Sequence, residues 1–144
     1  MTIGVRHTGI VVQDLNSAVE FWVEDLGFKI DSNRIEEGDF IDKLLGLIRV
    51  KVNTVKLIAP DSTMIELLKF IHPVNRKEII LEPNSNSITH IALNVGNLEI
   101  LLDGLSKRNY HPINRPLISQ DKKVKVCYIR AHENILIELV ETLI

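Results

Sequence analysis

An internal repeat constrains the fold of this chain more than any other feature. Residues 6–30, RHTGIVVQDLNSAVEFWVEDLGFKI, and residues 89–113, THIALNVGNLEILLDGLSKRNYHPI, follow one plan. A histidine opens an apolar strand, a polar turn follows, and an amphipathic helix comes next. Without gaps, His7 falls on His90, Ile10 on Leu93, Val12 on Val95, Asp14 on Asn97 and Leu15 on Leu98. A second echo follows each first one. NTVKLIAPDSTMIELLKF (53–70) answers KVCYIRAHENILIELVE (125–141), placing Leu57 on Ile129, Pro60 on His132 and Glu66 on Glu138. The chain is two copies of one module, each with a histidine early and a glutamate late.

Periodicity assigns the elements. Residues 4–12 read as a strand, with Thr8, Ile10 and Val12 on one face and His7, Gly9 and Val11 on the other. Asp14 or Asn16 caps a helix over about 16–25, whose core stripe is Val19, Trp22 or Val23, and Leu26. Gly27 falls where a helix takes a left-handed stop. A strand is expected over 28–33. The acidic segment 34–42 breaks the periodicity, and residues 40–47 suit a short helix ended by Gly46. Glu66 lies 59 positions after His7 and Glu138 lies 48 after His90, so the region 34–50 is the insertion. Such insertions either sit over a binding site or are tolerated loops. Strands over 50–58 and 64–70 join through Ala59-Pro60-Asp61-Ser62. The second copy gives a strand over 88–95, a helix over 97–108, a short strand near 111–114, and a hairpin of 124–130 with 135–141.

Each module is therefore β-α-β-β-β. Four strands alone make a twisted partial sheet that leaves a face uncovered. The expected fold is α+β: two tandem modules forming an incompletely closed, eight-stranded, barrel-like sheet with helices outside. One domain spans 1–144, with module 1 over about 1–71, a linker rich in Pro, Asn and Ser over about 72–87, and module 2 over about 88–144. An exposed sheet edge in such a half-barrel also predicts a homodimer.

Strand alternation puts His7, Gly9 and Val11 on a face with Met64, Glu66 and Leu68, and gives the matching set His90, Ala92, Asn94, Leu136, Glu138 and Val140. Glu66 and Glu138 sit inside apolar strands, where a carboxylate is costly unless compensated. Two such glutamates, accompanied in register by two histidines, point to one shared positive centre. Imidazole and carboxylate donors suit a divalent Zn, Ni, Co, Mn or Fe ion, with His7, Glu66, His90 and Glu138 as the candidate ligands.

Other side chains read as background. His72 and His111 each precede a proline, and His132 falls in a turn; all three are expected in solvent. Cys127 aligns with Val55 and reads as core. Arg130 and Lys56, near the hairpin turns, and the Lys122–Lys125 run read as solvated charge. The chain has 17 basic and 19 acidic residues, which gives a net charge of −2 and argues against a nucleic-acid footprint or a basic membrane-binding face. No apolar run approaches the roughly 20 residues that span a bilayer. The first 20 residues do not read as a secretion signal, and a single cysteine suits a reducing, cytoplasmic setting.

The opening His7-Thr8, followed by VVQDLNSAVEFWVEDLGF, resembles that of vicinal oxygen chelate proteins, the superfamily of glyoxalases, bleomycin resistance proteins and extradiol dioxygenases. Ala18, Phe21, Trp22, Leu26, Gly27 and Phe28 match that family's helix pattern, ITHIALNV its second-module opening, and NILIELVE its terminal ligand strand. The resemblance implies a metal-dependent lyase or isomerase of glyoxalase or epimerase type. Such an enzyme stabilises an enediolate on the metal while a glutamate moves the α-proton. Glu138 would be the base and Glu66 its partner on the opposite face. The substrate would be a small carbonyl or thioester compound. Two alternatives share the fold: a small-molecule (antibiotic-like) binding protein, and an iron dioxygenase using His7, His90 and Glu138. Val11 stands where glyoxalase I commonly has a glutathione-holding arginine, and Ala131-His132-Glu133-Asn134 replaces the usual D-P-x-G turn. Asn134 can take the left-handed conformation of the missing glycine.

Overall fold

A computed structural model of the chain describes residues 1–143. The chain divides into two compact units, Met1–Lys77 and Glu78–Ile144. The first unit contains β1 (Thr8–Val11), α1 (Leu15–Glu20), β2 (Lys29–Glu37), α2 (Asp39–Leu45), β3 (Lys51–Ile58) and β4 (Met64–His72). The second contains β5 (His90–Val95), α3 (Leu98–Ser106), β6 (Leu117–Ile118), β7 (Val124–Arg130) and β8 (Leu136–Thr142). Both sheets are four-stranded and mixed, in the orders β1-β4-β3-β2 and β5-β8-β7-β6. In each, the first strand pairs parallel with the last and the remaining pairs are antiparallel. The fold is α+β, and the same strand permutation recurs in both modules. Among the described residues no helix is long and apolar enough to cross a membrane.

The alternation read from the sequence is the alternation of burial. In the first unit Val12, Val55, Leu57, Ile65 and Leu67 are buried together with Leu15, Ala18, Phe21 and Trp22, and α1 contacts β4. In the second unit Ile129, Ile137 and Leu139 are buried, as are Leu98 and Leu105 of α3, which contacts β8. Cys127 is buried as its alignment with Val55 predicts, and burial pushes its thiol pKa up.

The first helix departs from expectation. Its buried stripe is Leu15, Ala18, Phe21 and Trp22, whereas Val19, Val23 and Leu26 are half-buried. The α-helical turns stop at Glu20 and a π-helical turn takes over across Phe21–Asp25, with Leu26 N–H donating to the Phe21 carbonyl at 3.2 Å. The extra residue in that turn lets the adjacent Phe21 and Trp22 both bury completely. Trp22 packs edge-on against Phe28, with centroids 5.0 Å apart. Gly27 then takes φ 77°, the expected left-handed stop.

Three boundaries also shift. β1 is shorter than the 4–12 expectation. β2 runs through the acidic segment to Glu37, because β3 offers it a partner as far as Glu37↔Lys51. The short strand of the second copy lies at Leu117–Ile118, with only an isolated bridge at Pro112↔Ile129.

The insertion makes α2, ended by Gly46 at φ 63°. Its Ile41 forms a buried cluster with Val50 and Val52, against Leu68 and Phe70. Val52↔Phe70 and Thr54↔Leu68 are cross-strand partners in the same alternation as Lys56↔Glu66. Thus α2 covers one end of the sheet face that carries Glu66.

Candidate functional site

Each unit brings its histidine and glutamate together. His7 stands just before β1 and Glu66 in β4, where the parallel register sets Gly9 beside Glu66. His7 Nε2 lies 3.6 Å from Glu66 Oε1. In the second unit β5 pairs with β8 as His90↔Leu136 and Ala92↔Glu138, and His90 Nε2 lies 3.2 Å from Glu138 Oε2. The carboxylates are the more enclosed partners, at 15% and 24% side-chain exposure, so each needs a positive or donating neighbour.

Those neighbours occupy one position of the repeat. In β3, Lys56 faces Glu66 across the strand pair, and its Nζ lies 3.7 Å from Glu66 Oε2. In β7, Tyr128 faces Glu138, and its hydroxyl donates to Glu138 Oε2 at 3.1 Å. The same Tyr128 oxygen is 3.2 Å from His90 Nε2, and the two rings pack edge to face. Burial, then the neighbouring Glu138 carboxylate, raises the Tyr128 pKa, which keeps the hydroxyl a donor. On the far side of the imidazole, His90 Nδ1 lies 3.0 Å from the Thr89 hydroxyl. The tautomer that donates Nδ1–H to Thr89 leaves Nε2 as a lone-pair donor, the form a metal binds.

Lys56, expected as solvated charge, instead pairs with Glu66, and Tyr128 and Thr89 join the site without having been singled out by the sequence. The signal was present, because the hairpin register that aligns Glu66 with Glu138 also sets Lys56 on Tyr128. The His90–Glu138 spacing is one that two ligands of an ion, or a direct hydrogen bond, would have. Two ligands about 2.1 Å from an ion, at angles between octahedral and tetrahedral, lie roughly 3.0–3.4 Å apart. The His90–Glu138 pair falls in that range at 3.2 Å and the His7–Glu66 pair just beyond it at 3.6 Å. Among the described residues no group of three or more His, Cys, Asp or Glu side chains is gathered to hold an ion. Each unit offers two donors.

The remaining candidates are placed elsewhere. His72 ends β4, with Nδ1 2.8 Å from the Arg49 carbonyl, and lines a cavity of about 450 Å³ with Glu37, Gly38, Arg49, Val50 and Lys51. His111 is exposed beside Asn109. His132 is buried rather than solvated, and desolvation lowers its pKa to about 4. Arg130 is held by the Leu81 and Asn134 carbonyls and by Glu82. Lys125 pairs with Glu99 and Glu141.

Two βαβββ modules, each setting a strand-borne glutamate beside a histidine, define a class of small α+β proteins built on a duplicated module. The chain belongs to the Glyoxalase/Bleomycin resistance protein/Dioxygenase superfamily, whose family model matches residues 6–128. Solved structures agree on the fold. A glyoxalase family protein of Bacillus cereus superposes with a TM-score of 0.91 at 24% identity, over 99% of this chain and 96% of that one. A trypanothione-dependent glyoxalase I of Leishmania major gives 0.66 at 22% identity, over 97% and 87%. The fosfomycin resistance protein FosX of Listeria monocytogenes, solved with Mn(II) and sulfate, gives 0.64 at 16% identity, over 99% and 96%. No curated protein matches the chain in sequence.

Proposed function

We propose that this chain is a metal-dependent lyase or isomerase of glyoxalase or epimerase type, acting on a small carbonyl or thioester compound. The recurrence of a His–Glu pair at one register in both units carries the reading. His7, Glu66, His90 and Glu138 would hold a divalent Zn, Ni, Co, Mn or Fe ion. The donor chemistry supports it, since two imidazoles and two carboxylates suit such an ion. Bound there, the ion would supply an electrophile for the substrate's oxygens. The chain's own contribution is proton transfer. Glu138 would take the proton α to the carbonyl, and Glu66, entering the cycle protonated, would return one and be reprotonated as Glu138 releases its proton to solvent. A carboxylate serves as such a base when it is within hydrogen-bond reach of that proton. We further propose that the protein works in the cytoplasm as a homodimer.

The test is metal content of tag-free protein purified without chelator, wild type beside Glu138→Gln, followed by deuterium exchange at the α-carbon of hydroxy-carbonyl and thioester substrates. About one ion per chain, weakened by the substitution, with α-exchange lost in it, is the expected result. Protein that neither carries an ion nor takes up Ni, Co, Zn or Mn would overturn the enzyme reading. Oxygen consumption dependent on iron would replace it with dioxygenase chemistry.

A further inference from the structure

The first unit has a cavity built by its insertion and set apart from its histidine–glutamate pair. β2 ends at Glu37, α2 starts after Gly38, β3 starts at Lys51 and β4 ends at His72, and these ends border about 450 Å³. That volume falls within the roughly 300–1,000 Å³ of small-molecule sites. The register sets Glu37 opposite Lys51 and Lys51 opposite His72, one row across three strands. Val52 faces Phe70, so Ile71 is an extra residue, a bulge of the kind that re-aims a neighbouring side chain. His72 and Glu66 stand six residues apart on β4, roughly 20 Å along the strand.

Arg49 is the residue with unused chemistry. Its backbone, at φ 53°, is held from two sides. Its N–H donates to Asp42 Oδ2 at 2.9 Å, the Val50 N–H donates to Asp42 Oδ1, and its carbonyl lies 2.8 Å from His72 Nδ1. Both Asp42 oxygens are thus engaged by amides. Among the described residues the Arg49 guanidinium has no hydrogen bond or ion pair. A planar cation on a fixed loop suits a forked anion. Beside it, Lys51 Nζ lies 3.7 Å from Glu37 Oε2. Of the lining side chains, Arg49 and Lys51 against Glu37 leave one net positive charge, which favours a monoanion over a dianion. Gly38, at φ 105°, leaves one wall without a side chain, and the buried Val50 gives the lining an apolar part.

We propose that this cavity is a second binding site, for a small organic monocarboxylate. Arg49 is the carboxylate's bidentate partner, Lys51 the adjoining cation, and Val50 the contact for the carbon skeleton. The site belongs to the first unit alone and needs no metal, so it stands or falls apart from the reading above. It also gives the insertion a role. The segment 34–50 supplies Glu37, Gly38, Arg49 and Val50, and among the described residues the second unit has no counterpart of α2.

The experiment titrates the 15N-labelled, chelator-stripped full chain with sodium propionate, sodium benzoate and inorganic phosphate, holding ionic strength constant with NaCl. The Gly38 and Lys51 amides are followed in wild type, Arg49→Gln, Arg49→Lys and Lys29→Gln, with the Arg49 Nε–Hε resonance where the arginine is present. Lys29 opens β2 eight residues from Glu37, roughly 26 Å away, so the loss of its charge is screened at the cavity. Saturable shifts with propionate or benzoate are expected. Arg49→Gln should weaken them about tenfold by removing a charge-assisted pair, and Arg49→Lys less, because it keeps the charge and loses the fork. Lys29→Gln should bind as wild type does. Arg49 is exposed, so denaturant midpoints of its variants should stay near wild type, which separates lost binding from lost folding. Shifts that remain linear with every anion, or an affinity that falls equally in Lys29→Gln and Arg49→Gln, would overturn the site. Phosphate binding tighter than either carboxylate would overturn its assignment to a monocarboxylate.

Discussion

At the scale of single residues, the turn before β8 holds the clearest gap between pattern and environment. Its backbone was legible: Asn134 takes φ 63°, the left-handed conformation that glycine supplies elsewhere, and Glu133 precedes it at φ 50°. His132 was not legible, since a histidine among polar turn residues reads as solvated. The fold closes over it, and desolvation lowers its pKa from 6.5 to about 4, only partly opposed by Glu133. The sign follows directly. Between pH 6.5 and about 4 the unfolded chain binds a proton at His132 that the folded chain does not. Its contribution is therefore complete above the unfolded value and declines as pH falls through that window. Replacing it with glutamine removes the titration. The stability lost on going from pH 7 to pH 5 should then be smaller in His132→Gln than in wild type, by about 2 kcal/mol. Denaturant unfolding at the two pH values measures this, and equal losses would show that the ring is not desolvated in solution.

Among the elements, helix starts were readable because capping is chemistry local to a few residues. Asp14 and Asn97 occupy one repeat position and both cap: Asp14 accepts from Ser17 N–H and Asn97 from Ile100 N–H. The α3 start has a second acceptor, Glu141, which takes the Leu98 N–H at 2.8 Å and lies 3.8 Å from Lys125. That contact joins residues 43 apart in sequence, and no local pattern announces it. Asn97→Ala should cost about 1 kcal/mol of stability, the usual value of a cap, and thermal unfolding at neutral pH reads it out. A negligible cost would mean that Glu141 suffices alone. The π turn escaped the sequence for a related reason. A 3.6-residue period cannot report one extra residue, so Val19 and Leu26 were placed in a stripe that belongs to Leu15, Ala18, Phe21 and Trp22. Trp22 is fully buried and edge-packed on Phe28, so Trp22→Ala should cost about 3–5 kcal/mol, large against typical domain stability. Loss of cooperative unfolding in that variant is the matching observation. β2 outran its prediction because its length is set by pairing with β3, not by its own alternation.

For the molecule as a whole, the repeat carried most of the inference. A strand plan seen once is weak, but seen twice in register it defined the βαβββ module and singled out both histidines and both glutamates, while the parallel pairing of the first strand with the last came only with the structure. It could not convey what each copy had changed, namely α2 in the first and the exchange of Lys56 for Tyr128 across the two. If the proposed donors bind an ion only when folded, the ion stabilises the fold by mass action. At a hundredfold excess over its dissociation constant the gain is about 2.7 kcal/mol, or roughly 5–10 °C in Tm for a chain of this size. Chelator-stripped wild type should therefore melt lower than the same protein with excess Mn(II) or Zn(II), and EDTA should reverse the shift. Glu138→Gln should lose most of that shift while keeping a metal-free Tm near wild type, because Glu138 is half-buried and glutamine still accepts from Tyr128. Equal ion-induced shifts in wild type and Glu138→Gln would place the stabilising ion away from the His–Glu pairs, and the shared register of the two copies would then be a legacy of duplication alone.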